Sequence, residues 1–184
     1  MRLTSYSDYA LRTLMYLAVM PNPDELATIA DIAEGYQISK SHLTKIIHQL
    51  AQLGYIDSVR GKNGGIRLAK LPKDINLGEV LRHTEADFAI VPCLLENGAV
   101  KTKHADKKMD GQTSIQDKET ADKETASVVV KSDNQKACFI SPTCQLKHVF
   151  AEATQAFIQV LSNYTLADIT QNKAELSRFL QLSL

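Results

Sequence analysis

No stretch of this 184-residue chain stays apolar for the ~20 residues that a membrane-spanning helix needs. The opening run Met1-Arg2-Leu3-Thr4-Ser5 lacks the apolar core and cleavage site of a secretory signal. A cytoplasmic protein with no membrane partner is the expectation. Cysteine is scarce and odd in number, at three, which argues against a disulfide framework. The thiols are left as spare side chains, metal ligands or sensors. There is no glycine loop that cradles phosphate, and no nucleophile–base pair outside the potential metal ligands, so no enzymatic activity is expected.

Net charge is also missing, with 21 basic and 21 acidic residues. That balance hides an asymmetry. From Ile38 to Lys73 there are seven Lys/Arg and a single acid, Asp57, so this window carries +6 and the remainder −6. Basic charge gathered on one segment of a neutral chain points to a polyanion partner there.

The fold class read from the pattern is mainly α with a small β-hairpin wing: a winged helix-turn-helix plus a long dimerisation helix. Leu11, Leu14, Met15, Ala18 and Val19 recur at helical spacing, which predicts a helix from Tyr6 to Met20 opened by a Ser5–Asp8 capping box. Pro21-Asn22-Pro23 ends it. Thr28 caps a short helix, Ile29 to Glu34, that Gly35 stops. Ser39 caps a third, with the stripe Leu43, Ile46, Ile47, Leu50 and Leu53, ended by Gly54. Two short helices about a tight turn form a helix-turn-helix. The runs 55–60 and 66–69, joined by an Asn63-Gly64 turn, predict a hairpin in the place of a wing. Asn76 caps a helix from Leu77 to His83.

Composition changes from Asn97 to Ala137, which hold no aromatic and 15 charges, including the repeat Asp117–Ala121 and Asp122–Ala126. Such a segment buries too little to offset its ordering entropy, and a disordered insertion is expected at 97–136. After Cys138, Ser141-Pro142 predicts a helix start. Leu146, Phe150, Ala153, Phe157, Val160 and Tyr164 then follow at spacings of four and three, a seam suited to a second copy of the chain. The expected regions are 1–84 for DNA binding, 85–96 with 137–147 around the cysteines, 144–170 for dimerisation and a short helical tail, and 171–184 for a C-terminal helical tail.

Off the apolar stripe, the third helix offers Ser39, Lys40, Ser41, His42 and Lys45 to a major groove, and His48 is a further candidate. The hairpin adds Arg60, Lys62, Asn63 and Arg67, cations suited to a narrow minor groove. Thr28 joins the candidate DNA contacts. Lys45 and Arg67 suit phosphate contacts, which give affinity without sequence information.

Cys93 follows Val91-Pro92, while Cys138 and Cys144 stand six apart. Cys144 is expected in the first turn of the long helix, where unpaired amides favour the anionic sulfur that binds iron. Three thiolates supply most of an iron–sulfur cluster's ligands and leave one position open. The long connection to Cys93 costs about 2 kcal/mol more than a connection of about five residues. A zinc Cys3His site that includes His148, four residues past Cys144, stays open as an alternative. His104 falls in the insertion and reads as solvated.

Gln37-Ile38-Ser39, Lys45-Ile46-Ile47, Gly54-Tyr55-Ile56 and the run Arg60 to Leu68 resemble the iron–sulfur winged-helix repressor family. Leu3 to Tyr9 and Asn163 to Asp168 are similar to its nitric-oxide-sensing branch. The resemblance covers about residues 1–96 and 137–170. It implies a homodimer on a partly palindromic double-stranded operator, with one 2Fe–2S or 4Fe–4S cluster per subunit on Cys93, Cys138 and Cys144. It further implies Asp8 of the partner subunit as a fourth ligand and nitric oxide as the signal that relieves repression of nitrosative-stress genes; Arg12, one turn later, stands open as a holder of that carboxylate, a DNA contact or a plain surface residue. Two departures are plain. The insertion separates Cys93 from the other cysteines. Lys147 stands where cluster-biogenesis members of the family carry His, which disfavours the biogenesis branch, while the same scaffold sensing iron or redox status stays open as the alternative signal.

Overall fold

Helix α1 (Ser5–Val19) begins one residue earlier than the expected capping box allows. Thr4 is its cap, with Oγ1 accepting from the Ser7 amide at 3.3 Å. Asp8 takes no part in the cap and pairs with Arg12, Nε to Oδ2 at 2.9 Å. The computed structural model describes residues 2–94 and 138–182, so the insertion expected at 97–136, with its repeat and His104, lies outside the described residues.

Helix α2 (Ile29–Tyr36) opens on a reciprocal box: Thr28 Oγ1 accepts from the Asp31 amide, and Asp31 Oδ2 from the Thr28 amide. Gly35 does not stop it, contrary to expectation. Gly35 is a packing residue, because an added Cβ would lie 3.2 Å from the Tyr16 ring. Gln37, left-handed at φ 54, closes the helix. Helix α3 (Lys40–Gln52) follows at once. Ser39 occupies its N-cap position, but the Ser39 hydroxyl pairs with that of Ser41 at 2.8 Å and caps no amide. Leu43, Ile46, Ile47 and Leu50 are buried as their spacing predicts, in one core with Ala10, Leu14 and Leu17 of α1 and Ile32 of α2. Each fully buried side chain of this size stabilises the fold by about 1.5–3 kcal/mol.

Strands β1 (Ile56–Val59) and β2 (Gly65–Leu68) pair antiparallel, with Val59 opposite Gly65. The connection is therefore residues 60–64, shifted by one from the 61–65 stretch left between the two expected runs. Gly61 supplies the positive φ this turn needs, and the Gly64 amide closes it onto the Gly61 carbonyl at 3.0 Å. The hairpin is fastened to the segment before α2 by Ala27 and Ile66, which exchange two backbone bonds of 2.9 and 2.8 Å.

Helix α4 (Leu77–Thr84) is capped by Asn76, whose other amide atom, Nδ2, donates to the Ser162 carbonyl at 2.7 Å. That bond fixes α4 to the end of the long helix α5 (Gln145–Ser162). Ser141-Pro142 forms a single 3-10 turn, Ser141–Thr143, before α5 begins. Cys144 is consequently the N-cap residue of α5 rather than a member of its first turn. Helix α6 (Lys173–Phe179) returns to the head, where the buried Ser177 hydroxyl donates to the Val19 carbonyl at 2.7 Å. Among the described residues the fold is six α-helices and one two-stranded sheet, in the order of a winged helix-turn-helix.

Gly78 gives a test of the α4–α5 joint. Helix propensity alone predicts that Gly78→Ala stabilises by about 1 kcal/mol. A Cβ there would lie 2.9 Å from Ser162 Cα and amide nitrogen, which are backbone and cannot rotate away. Overpacking of this kind costs about 1–3 kcal/mol, so the net effect is a lower melting temperature by circular dichroism. An unchanged or raised melting temperature would contradict so close an approach.

Candidate DNA-binding face and thiol set

The exposed side of α3 carries Lys40, Ser41, His42 and Lys45, with His48 one turn further. None of these cations pairs with a carboxylate among the described residues. Arg60, Lys62 and Asn63 are likewise exposed at the turn of the hairpin. Arg67 differs. It faces Asp57 across the strand pair at 3.8 Å and Asp24 at 3.9 Å, so part of its charge is balanced within the chain. The Thr28 hydroxyl is engaged in capping α2. The expected DNA candidates thus fall on α3, on the hairpin and at the start of α2, which Ala27 and Ile66 hold together.

Polar ties that sequence reasoning missed fix α3 in place. The Tyr6 hydroxyl of α1 donates to Gln49 Oε1, and Gln49 Nε2 donates to the His83 carbonyl at 2.7 Å. Tyr55, 2% exposed, meets His83 Nδ1 at 3.1 Å, and the Lys70 ammonium lies 4.8 Å from its ring centroid. Burial, with a smaller contribution from Glu79, pushes the Tyr55 pKa up to about 12, so the hydroxyl stays protonated at neutral pH. These contacts join residues distant in sequence. The only local hint was a tyrosine at position 6 beside the α1 stripe.

Asp8 is 44% and Arg12 46% exposed in their side chains. Arg12 therefore holds the Asp8 carboxylate, as the sequence allowed, and its guanidinium also lies 5.7 Å from the Tyr36 ring centroid at the end of α2. Burial pushes the Tyr36 pKa up to about 12, although Arg12 opposes the shift.

Cys93 lies in a 3-10 turn, Pro92–Leu94, that packs beside α5. Cys138 is exposed ahead of α5, and Cys144 is half-buried at its N-cap; all three are free thiols. As a donor set they suit an iron–sulfur centre, which takes cysteine sulfur. Yet no three His, Cys, Asp or Glu side chains converge as a metal site among the described residues. Neither the three thiols nor the Cys3His set with His148 is brought together among the described residues. The Cys93 turn has room beside it, since Leu94 borders a cavity of about 530 Å3 walled by residues 85–89 and by Ala151, Thr154 and Ile158 of α5.

The expected seam on α5 is largely uncovered. Leu146 is 55% and Val160 56% exposed, as is Val149 at 57%, while the buried residue of the helix is Ile158, outside the seam. No helix among the described residues is long and apolar enough to cross a membrane.

A family model described as Rrf2, iron-dependent transcriptional regulator, matches residues 3–119. The chain is 41% identical over 182 residues to the HTH-type transcriptional regulator NsrR of Bacillus subtilis, covering 99% of each chain. It is also 41% identical over 180 residues to NsrR of Bacillus licheniformis, covering 98% of this chain and 99% of that one. Among solved structures, T. potens IscR superposes with a TM-score of 0.58 at 20% identity, over 94% of this chain and 88% of that one. CymR, the global cysteine regulator of B. subtilis, gives 0.57 at 17% identity, over 94% and 98%. At these identities the two structures speak for the fold alone.

Proposed function

This chain belongs to the Rrf2 family of transcriptional regulators, and from that premise we propose that it is a homodimeric, cytoplasmic repressor whose grip on operator DNA is released by nitric oxide through an iron–sulfur cluster. The observation that carries the DNA-binding part is the row of unpaired cations on α3 beside the exposed hairpin turn. The Leu3–Tyr9 and Asn163–Asp168 runs, together with full-length similarity to NsrR proteins, support the branch.

In this reading Ser39, Lys40, Ser41 and His42 meet base edges in a major groove, and Lys45 meets phosphate. Arg60, Lys62 and Asn63 enter the adjoining minor groove, and Arg67 reaches phosphate once it leaves its two carboxylates. Thr28 stands at the start of α2, where backbone amides favour a phosphate. A second copy covers Leu146, Val149 and Val160 of α5 and sets the separation of the two α3 helices to match a partly palindromic operator. Cys93, Cys138 and Cys144 hold one 2Fe–2S or 4Fe–4S cluster per subunit, with Asp8 of the partner subunit as further ligand. When bound, that group supplies iron that reacts with nitric oxide. The chain's part is to tie the Cys93 turn and the Cys138–Cys144 segment to the start of α5. Without that common anchor the Cys93 turn would be held to the Cys138–Cys144 segment only by its packing on α5, and the separation of the reading heads would be less firmly fixed.

The family model's own description, iron-dependent, favours one second reading, in which the same thiols report iron supply. One experiment separates them. The full chain, purified without oxygen, is bound to a promoter duplex that it has itself selected from genomic DNA, then exposed to nitric oxide or to an iron chelator. Rapid release by the gas and slow or no release by the chelator is the expected result. Binding that ignores the gas contradicts the proposal.

A further inference from the structure

Helix α1 does more than support the basic face. Its first turns and the outer flank of α3 enclose a slot of about 200 Å3, lined by Ser5, Tyr6, Tyr9, His42, Lys45 and Ile46. The floor is fixed. Ile46 is 1% exposed, and the Tyr6 hydroxyl bonds Gln49 Oε1 and lies 3.4 Å from the Lys45 carbonyl, which ties the two helices together. Burial pushes the Tyr6 pKa up, so this tie remains a neutral donor. The mouth is different. The Tyr9 ring packs against the core, while its hydroxyl makes no hydrogen bond among the described residues. His42 and Lys45 are exposed, and no carboxylate pairs with either among the described residues. A slot with aromatic and methylene walls, one idle hydroxyl and two candidate cations fits a ligand that is both anionic and partly apolar.

The geometry points to the sugar–phosphate backbone of DNA as that ligand: Tyr9 and Lys45 hold one phosphate on the flank of α3, with the sugar against the Tyr6 and Tyr9 rings. The inference rests on the DNA-binding reading above and extends it to a helix that the sequence presented only as scaffold. The charge is complementary, and the slot shares His42 with the exposed row Lys40, Ser41 and His42. A phosphate placed here fixes the roll of α3 in the groove and carries no sequence information. Tyr6 is a positioning residue for the slot, and Tyr9 is the contact.

The test uses the full chain, prepared without oxygen, and a random-sequence DNA duplex. Dissociation constants are measured by fluorescence anisotropy over a range of salt concentrations. Tyr9→Phe keeps the packed ring and removes only the hydroxyl, so its melting curve should match the parent. Its affinity is expected to fall about 10-fold with an unchanged salt slope, as loss of a hydrogen bond to a charged group requires. Lys45→Gln is expected to lower the log–log salt slope by about 0.9, the signature of one lost phosphate contact. The double variant should lose less than the product of the two single losses, because both groups serve one phosphate. Parent-like binding by Tyr9→Phe, with Lys40→Gln weakened as a control, overturns this inference and leaves the DNA-binding reading standing. Strictly multiplicative losses also overturn it. A parent chain that ignores the duplex at every salt concentration overturns both.

Discussion

Replacing Cys144 with alanine is expected to abolish nitric-oxide-responsive promoter binding and leave the fold intact. The two effects separate because of where the sulfur sits. Cys144 is the N-cap residue of α5, but its side chain caps no amide, so truncation removes no hydrogen bond. Cys138 is exposed, and its turn is closed by its carbonyl, which accepts from the Ser141 amide at 2.8 Å. The metal-free unfolding free energy of Cys138→Ala should therefore lie within about 0.5 kcal/mol of the metal-free parent, as for surface substitutions. Cys93→Ala and Cys144→Ala, at half-buried positions, should lose somewhat more. Iron content and gas response, by contrast, should fall to background in all three. Full gas-sensitive binding in every variant would remove the thiols from the account.

Gly65→Val should be nearly as damaging to DNA binding by another route. Valine is a strong strand former, so propensity favours the change. The approach of the hairpin to the head forbids it. A Cβ at Gly65 would lie 2.6 Å from the Ala27 carbonyl oxygen and 2.9 Å from Leu26 Cβ. That carbonyl accepts from the Ile66 amide at 2.8 Å, so the strand cannot give way without losing its bridge to the head. The hairpin then lifts, and Arg60, Lys62 and Asn63 leave their place beside α3. A stability loss of about 1–3 kcal/mol is expected. Loss of three backbone or groove contacts should weaken duplex binding about 100-fold and flatten its salt dependence. Ser58→Val, at an exposed position of β1, is the control and should change neither. Parent-like affinity in Gly65→Val would show that the hairpin does not contact DNA.

The elements legible in the sequence were those set by local periodicity. The stripe Leu43, Ile46, Ile47, Leu50 predicted the buried side of α3, and Asn76 predicted the cap of α4, because each signal spans a few residues. Details decided by competition among neighbours were misplaced. Thr4 takes the cap expected of Ser5, and Asp8 pairs with Arg12 instead of closing a box. Gly35 looks like a helix stop, but its missing side chain answers to the Tyr16 ring and to Leu180, 145 positions away. Ser141-Pro142 opens a 3-10 turn and leaves Cys144 at the cap.

Contacts between distant segments had no local signal at all. Ser177 on Val19, Asn76 on Ser162, and Tyr6 with Gln49 and His83 are bonds that only the folded chain brings together. The candidate site divides along the same line. The basic row of α3 follows from helical spacing and was readable. Convergence of Cys93 with Cys138 and Cys144 does not follow from spacing, and no such group is found among the described residues.

The most direct measurement is a gas titration of oxygen-free protein already seated on its promoter, with iron, acid-labile sulfide, visible absorption and DNA occupancy followed together. The account predicts a coloured chain carrying both elements, whose absorption and occupancy fall in step as the gas is added. A colourless preparation lacking iron and sulfide, which stays on the promoter throughout, would contradict it.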